Sequence, residues 1–450
     1  MKNLVLPFAV FVAGIISALL LPGTGDHGDS VQHFLIAKNS WSNPALFFDH
    51  WGKPLFTFFA SPFAQLGFKG IKIFNVLLFS GSTALLLEIG KHLRTNGLIA
   101  ALILLACPML PSHVLSGLTE PMFAFFLLLS LLLAYKKRWI WAAIVLSFLP
   151  FIRSEGWIML ASFVPYFVIK KQIRLLPFLL LGTGLYSITG WGTHGDFLWV
   201  FTKTPYVNQG NNYGSGNYFH FANQLFYWCG LISCVLFGFG LLHLLSRWRK
   251  VNLNWLLVLV LFFSFFFAHS FFWGSGMFHS MGMARVLICI LPLFALIGSR
   301  FFSILPTYLN LPQAKTATAV ILLLLFTLPL LSRKRLHKFQ NSFQLHHSQI
   351  LINEALEHIP KDHHLGAKTL YCSAPWAKLK WQEKHGLGTT PLISEITTAT
   401  GLILWDGYFS PLEEGISEAN LSNKGFVEIW RGNTSENMRN TVSVWQISEH

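Results

Sequence analysis

The stretch GDHGDSVQHFLIAK, from Gly25 to Lys38, places two carboxylates, Asp26 and Asp29, just after an apolar run that ends near Leu21. A carboxylate at a membrane surface can take the proton of an attacking hydroxyl or hold a divalent cation that bridges phosphates. A positioned base is worth roughly 10²–10⁴ in rate. The plainer alternative is a solvated loop in which both acids cap a helix. His33 follows Asp29 by four residues, so on a helix the two share a face. That spacing suits a hydrogen-bonding partner of the acid, and equally a satisfied interfacial histidine.

Other stretches carry polar groups in apolar surroundings. In FDHWGKPLF, Trp51 offers a stacking face for a sugar, Lys53 a point charge for a phosphate and Pro54 a rigid turn. The same residues would also make an aromatic-belt anchor with a snorkelling lysine. In FIRSEGW, Arg153 and Glu155 interrupt almost continuous apolar sequence. Charge at mid-membrane costs roughly 2.5–3.5 kcal/mol, so such residues usually face a cavity, and Arg153 suits a phosphate. The alternative is a short turn in which the two charges pair. SGLTEPMF sets Glu120 at the start of an apolar run, where a helix N-terminus also favours an acid. HSFFWGSGMFHSMGMAR carries His269, His279 and Arg285; the histidine spacing makes no zinc motif, and Arg285 is the second candidate for a phosphate. WGTHGDFLW adds His194 and Asp196 as candidate substrate contacts.

Composition dictates what must position these groups. Hydrophobic residues form 53% of the 450 and charged residues 12%, with mean hydropathy +0.51. A soluble domain carries about twice that share of charge, and short alternating strands of a barrel are missing, so a polytopic α-helical membrane protein is expected. The net charge of +14 lies in short Lys/Arg clusters between apolar runs, which points to membrane topology rather than nucleic acid. Four of the five cysteines lie in apolar runs, which excludes a disulfide framework.

About 11 spans follow from apolar lengths, including Leu4–Leu21, read as a retained helix, and Phe221–Ser246 as one span. The clusters KHLR, YKKR, KKQIR and SRWRK fall after spans two, four, six and eight, on the inner face if the N-terminus is cytoplasmic. Residues 22–70 then form a long first external loop, with helices expected from Asp29 or Ser30 to about Asn39 and over Leu55–Leu66. SRKR at 332–335 runs against this alternation. Residues 1–331 are expected to form the membrane domain. Residues 332–450 are expected to be a small soluble α/β or α+β domain, with a serine-capped helix at SQILINEALEHIP and four strands.

Together these elements resemble the GT-C superfamily of integral-membrane glycosyltransferases, which includes protein O-mannosyltransferases, aminoarabinose transferases and GPI mannosyltransferases. The likeness lies in Asp29 at the start of a long first external loop, with Ala37 eight residues on, and in Lys53-Pro54-Leu55. TEP at 119–121 and RSEG at 153–156 are similar to elements of the mannosyltransferase branch. Many members have two adjacent acids, whereas Ser30 follows Asp29 here. The resemblance implies an inverting glycosyltransferase of hexosyl or mannosyl type, using a polyprenyl-phosphate sugar and an acceptor hydroxyl of protein, lipid or glycan. Asp29 would be the general base with Asp26 as helper, and Lys53, Arg153 and Arg285 would hold the donor phosphate. His33, Trp51, Glu120, Glu155, His194, Asp196 and His279 would line the substrate site. Mg2+ or Mn2+, if one takes part, would fall to Asp26 and Asp29, although a phosphate already neutralised by Lys and Arg can leave without a metal. The implied setting is a bacterial inner (plasma) membrane, with the site and the C-terminal domain on the periplasmic face. A transporter or flippase of lipid-linked sugars is the alternative, but no internal repeat of the transporter kind is found. A structural subunit is a third.

Overall fold

The computed structural model describes residues 4–205, 214–278, 280–328, 339–359, 369–386, 390–396, 401–433 and 441–447. The chain divides into two compact units. One comprises Met1–Leu21 and Ile36–Ser342, the other Pro22–Leu35 and Phe343–His450.

The first unit is helical. Helix Phe68–Leu93 packs against Val5–Leu20 and Glu120–Tyr135, and Leu231–Ser246 packs against Leu291–Ile304. Among the described residues, three helices are long and apolar enough to cross a membrane alone: Phe68–Leu93, the continuous Ile173–His194, and Leu253–Ser275. Some polar groups buried among them are paired with backbone, as a medium without water favours. Lys72, only 2% exposed, donates from Nζ to the Leu21 carbonyl at 2.8 Å and so closes the end of the first helix. Trp255 Nε1 donates to Leu93 O at 2.9 Å.

The expected span Phe221–Ser246 is not one continuous helix. Helices His220–Cys229 and Leu231–Ser246 meet at Gly230 with a bend of 116°. Gly230 has φ 79° and ψ 165°, a conformation open only to glycine, and this is what turns the chain. Several other expected spans are also shorter than their apolar runs. Gly97–Leu105 stops at nine residues, because Pro108 and Pro111 follow and cannot continue its hydrogen-bond ladder. Helices Asp29–Asn39 and Pro54–Ala64 lie where the first external loop was expected to hold them.

The second unit carries a mixed four-stranded sheet of order β1-β2-β4-β3, with β1 Leu370–Cys372, β2 Gly401–Asp406, β3 Val427–Asn433 and β4 Thr441–Ile447. β1 and β2 are parallel and the other pairs antiparallel. β2 is buried along its whole length, and Tyr371, Ile403, Trp405, Leu421 and Trp445 form a core with Ile393. Exposed β3 sits at the edge and carries Glu428 and Arg431, whose charges discourage pairing with another chain. The helix at 347–358 is capped by the His346 side chain, which accepts from Ser348 N, and not by a serine.

Asp406 ends β2 and is buried. Its Oδ1 accepts from Tyr408 N at 3.0 Å and Phe409 N at 2.6 Å, and Ser410 Oγ donates to Oδ2 at 3.2 Å. Burial pushes its carboxyl up to about 6, against these hydrogen bonds, which lower it. A carboxyl raised in the folded state binds more protons there than when unfolded. Its contribution is therefore present at low pH and lost as pH rises through about 6. Asp406→Asn keeps the oxygen acceptor and removes the charge. Thermal unfolding should show the variant gaining stability over the wild type between pH 4 and 7, by about 3 kcal/mol at most. A variant equally destabilised at every pH would show that the charge is not what matters.

Candidate active site

The first unit brings together five side chains from four places in the sequence. Glu120 is the first residue of helix Glu120–Tyr135. Arg153 and Glu155 lie in the turn between the short 3-10 helix Leu149–Phe151 and helix Gly156–Ile169. His269 comes from Leu253–Ser275, and Arg285 from the 3-10 helix Ala284–Cys289. The turn is tight because Gly156 lies against the Leu149 backbone, where a Cβ would come within 2.3 Å of the Leu149 carbonyl carbon. The loop before Glu120 is held by buried Asn75, whose Nδ2 donates to Ser116 O at 2.8 Å and Leu118 O at 2.9 Å.

Arg153 is the hub. One terminal nitrogen lies 2.8 Å from Glu120 Oε1 and the other 2.8 Å from Glu155 Oε1. Its Nη1 also donates to Thr119 Oγ1 at 3.3 Å, and its Nε to Glu155 Oε1 at 3.3 Å. Arg285 Nε lies 3.4 Å from the same Glu120 oxygen, and His269 Nε2 lies 3.4 Å from Glu155 Oε1. Glu120 is wholly buried, yet neither of its oxygens receives a well-aligned hydrogen bond, so its contacts are of charge rather than of directed donors. Burial would raise the Glu155 carboxyl, but Arg153 and His269 hold it well below the usual carboxylate range. Two arginines thus face two glutamates in a low-dielectric setting. The pairing of Arg153 with Glu155 holds, and Glu120 and Arg285 extend it.

Lys53 occupies a separate turn of the same unit. Asp49 Oδ1 accepts from Trp51 N at 2.6 Å and Gly52 N at 3.0 Å, closing a turn that delivers Lys53 to the start of helix Pro54–Ala64. Lys53 has φ 59° and ψ 94°, a strained conformation for a residue with a Cβ. The turn is steadied from one side. His50 Nε2 lies 3.0 Å from Trp199 O, and His194 Nε2 lies 3.0 Å from Phe48 O with its ring stacked on Trp199. Trp51 is exposed. Asp196 Oδ1 accepts from Leu198 N at 2.8 Å, and its Oδ2 accepts from Thr202 Oγ1, so it closes the turn before Trp199.

Asp26 and Asp29 belong to the second unit. Asp26 Oδ1 accepts from Gly28 N at 2.9 Å and Ser30 N at 3.3 Å, a cap on the helix that Asp29 begins. His33 is buried on that helix. Among the described residues no group of three His, Cys, Asp or Glu could hold a metal ion. One Asp26 oxygen is already taken by two N–H groups, and no third such ligand stands with Asp26 and Asp29 among the described residues, so this donor set does not fit a divalent cation. His279 lies outside the described residues.

Asn75, Asp49 and His50 were not among the sequence candidates, and His269 was named without a role. Only Asp49 had a local signal, the turn-forming D-x-x-G of Asp49–Gly52. Asn75 and His269 act across sequence separations that no spacing reveals.

Two outcomes follow. Arg153→Ala leaves two carboxylates without their shared cation and should cost ~3–5 kcal/mol of stability. Adding Glu120→Gln should recover part of that in thermal unfolding in nanodiscs, and strict additivity would refute the coupling. At position 53, Gly relieves the backbone strain that Ala keeps. Lys53→Gly should therefore be more stable than Lys53→Ala by about 1 kcal/mol in thermal unfolding.

No family model matches the chain, and no curated protein matches it. Two solved structures do, both of ArnT from Cupriavidus metallidurans. The structure described as bound to undecaprenyl phosphate superposes with TM-score 0.61 at 11% identity, covering 98% of this chain and 97% of the other. The apo structure gives TM-score 0.61 at 10% identity, covering 99% and 98%. At this identity the likeness is one of fold, and it runs through nearly the whole of both chains: this protein has a polytopic helical fold like that of ArnT.

Proposed function

We propose that this protein is an inverting membrane glycosyltransferase that moves a sugar from a polyprenyl-phosphate donor to an acceptor hydroxyl at the outer membrane–water interface. The observation that carries the reading is the whole-length fold likeness to a protein whose structure holds undecaprenyl phosphate. The buried arginine–glutamate cluster supports it, because such charges are costly in a membrane unless they serve a polar ligand. The acceptor oxygen attacks the anomeric carbon while the bond from that carbon to the phosphate oxygen breaks. Asp29 takes the hydroxyl proton, and polyprenyl phosphate leaves with its charge met by Lys53 and the Arg153–Arg285 pair. The two glutamates already balance the arginines and hold their guanidinium planes fixed. Such preorganised donors stabilise charge that develops late without reorganising at the moment of reaction. In this reading the N-terminus is cytoplasmic, residues 1–331 carry the membrane-embedded site, and residues 332–450 form an external domain. About 11 spans and a hexosyl or mannosyl donor belong to the same proposal.

Purified protein in nanodiscs, given a polyprenyl-phosphate sugar and candidate acceptors, should release polyprenyl phosphate as the sugar is transferred. Asp29→Asn should lower kcat by roughly 10²–10⁴, and Lys53→Ala should raise KM for the donor. Wild-type turnover in Asp29→Asn would remove the base assignment. Labelled lipid that crosses liposomes with no covalent transfer would replace the whole reading by a flippase.

A further inference from the structure

The second unit fastens residues 23–30 at point after point. Gly23 N donates to Phe343 O at 2.8 Å, and a Cβ on Gly23 would lie 2.5 Å from the Phe343 carbonyl carbon, so only glycine fits. Thr24 and Gln349, both buried, share a hydrogen bond from Gln349 Nε2 to Thr24 Oγ1 at 3.1 Å. The His27 ring stacks on His346, with centroids 4.1 Å apart and planes 8° from parallel. Tyr408 and Phe409 meet the same ring edge-on at 5.3 and 5.5 Å. Gly28 lies against Phe409, where a Cβ would come within 3.2 Å of the ring. Each of these partners is itself fixed. His346 caps helix His347–His358, and the Tyr408–Phe409 turn hangs on buried Asp406. Inside the segment, Ser30 Oγ donates to Thr24 O at 2.6 Å and Thr24 Oγ1 to Asp26 O at 2.7 Å.

We propose that His27, stacked on His346 and boxed by the Tyr408–Phe409 turn, is a positioning residue through which the C-terminal unit fixes the Asp26–Asp29 segment. The inference rests on the role proposed above for Asp29. The soluble residues then serve the reaction without touching the donor: they set where the acid at the start of helix Asp29–Asn39 stands. Three flat rings around one imidazole suit this task. A stack resists tilting of the segment, and edge contacts resist its sliding.

The test uses the full chain in nanodiscs with three variants and two readouts. Hydrogen exchange of peptides covering residues 23–31 reports the fastening. The kcat and donor KM of sugar transfer report its consequence. His346→Ala should raise exchange of the segment tenfold or more and lower kcat about tenfold with donor KM nearly unchanged. His346→Phe, which keeps a flat ring, should restore both. Gly23→Ala should act like His346→Ala, while helix Phe68–Leu93 keeps its protection and so shows that the fold is intact. Unchanged exchange in His346→Ala would overturn the proposal. So would raised exchange with wild-type kcat. If exchange responds as expected but neither the wild type nor any variant transfers sugar, the fastening stands and the transferase reading is what fails.

Discussion

The structure turns on one buried contact, that of Arg153 with Glu120. A wholly buried carboxylate cannot persist in a helical membrane unit without a cation, and Arg153 supplies it at 2.8 Å. Everything around the pair keeps it in place. Asn75 holds the loop that brings Glu120, Gly156 permits the turn that brings Arg153, and Glu155, His269 and Arg285 complete the charge set. Burying Glu120 and Arg285, with Arg153 and Glu155 largely covered beside them, is costly and sets this corner apart from the rest of the helical unit. Hydrophobic residues of like volume would serve stability at least as well.

Carboxylates and cations divide between the two units in a telling way. The arginine–glutamate set and Lys53 belong to the helical unit, whereas Asp26 and Asp29 are counted with the C-terminal residues. The acidic segment is therefore held by contacts within the unit that also carries the small sheet and its dense aromatic core. Tyr371, Trp405 and Trp445 give that core the rigidity needed to hold a loop by ring contacts.

Much of this was legible in the sequence, for physical reasons. Composition alone required a helical membrane protein. The cap-like position of Asp29 marked the helix that begins there, a short apolar run marked β2 and alternation marked β4. Glu120, Arg153, Glu155 and Arg285 stood out because charge is rare in apolar sequence. Their union was not legible, since it joins residues up to 165 positions apart through helix packing. The break at Gly230 was missed because one glycine inside an apolar run lowers hydropathy too little to register. Ser348 has the residue type of a cap, but His346, two residues earlier, caps the helix by accepting from Ser348 N. Segment 22–35 joined the C-terminal unit through a few hydrogen bonds and ring contacts that leave no periodic trace.

The bend at Gly230 leaves Leu231–Ser246 with 16 residues of its own, and Val5–Leu20 and Glu120–Tyr135 have 16 each. A helix of that length rises about 24 Å, several ångströms less than a hydrocarbon layer of roughly 30 Å. Where such a helix crosses a bilayer, the lipid beside it must thin, or the helix must draw its ends inward, at a cost of fractions of a kcal/mol per ångström. Bilayer thickness then bears on the shape of the chain, and longer acyl chains would load a bend such as that at Gly230, while a thin membrane would relax it.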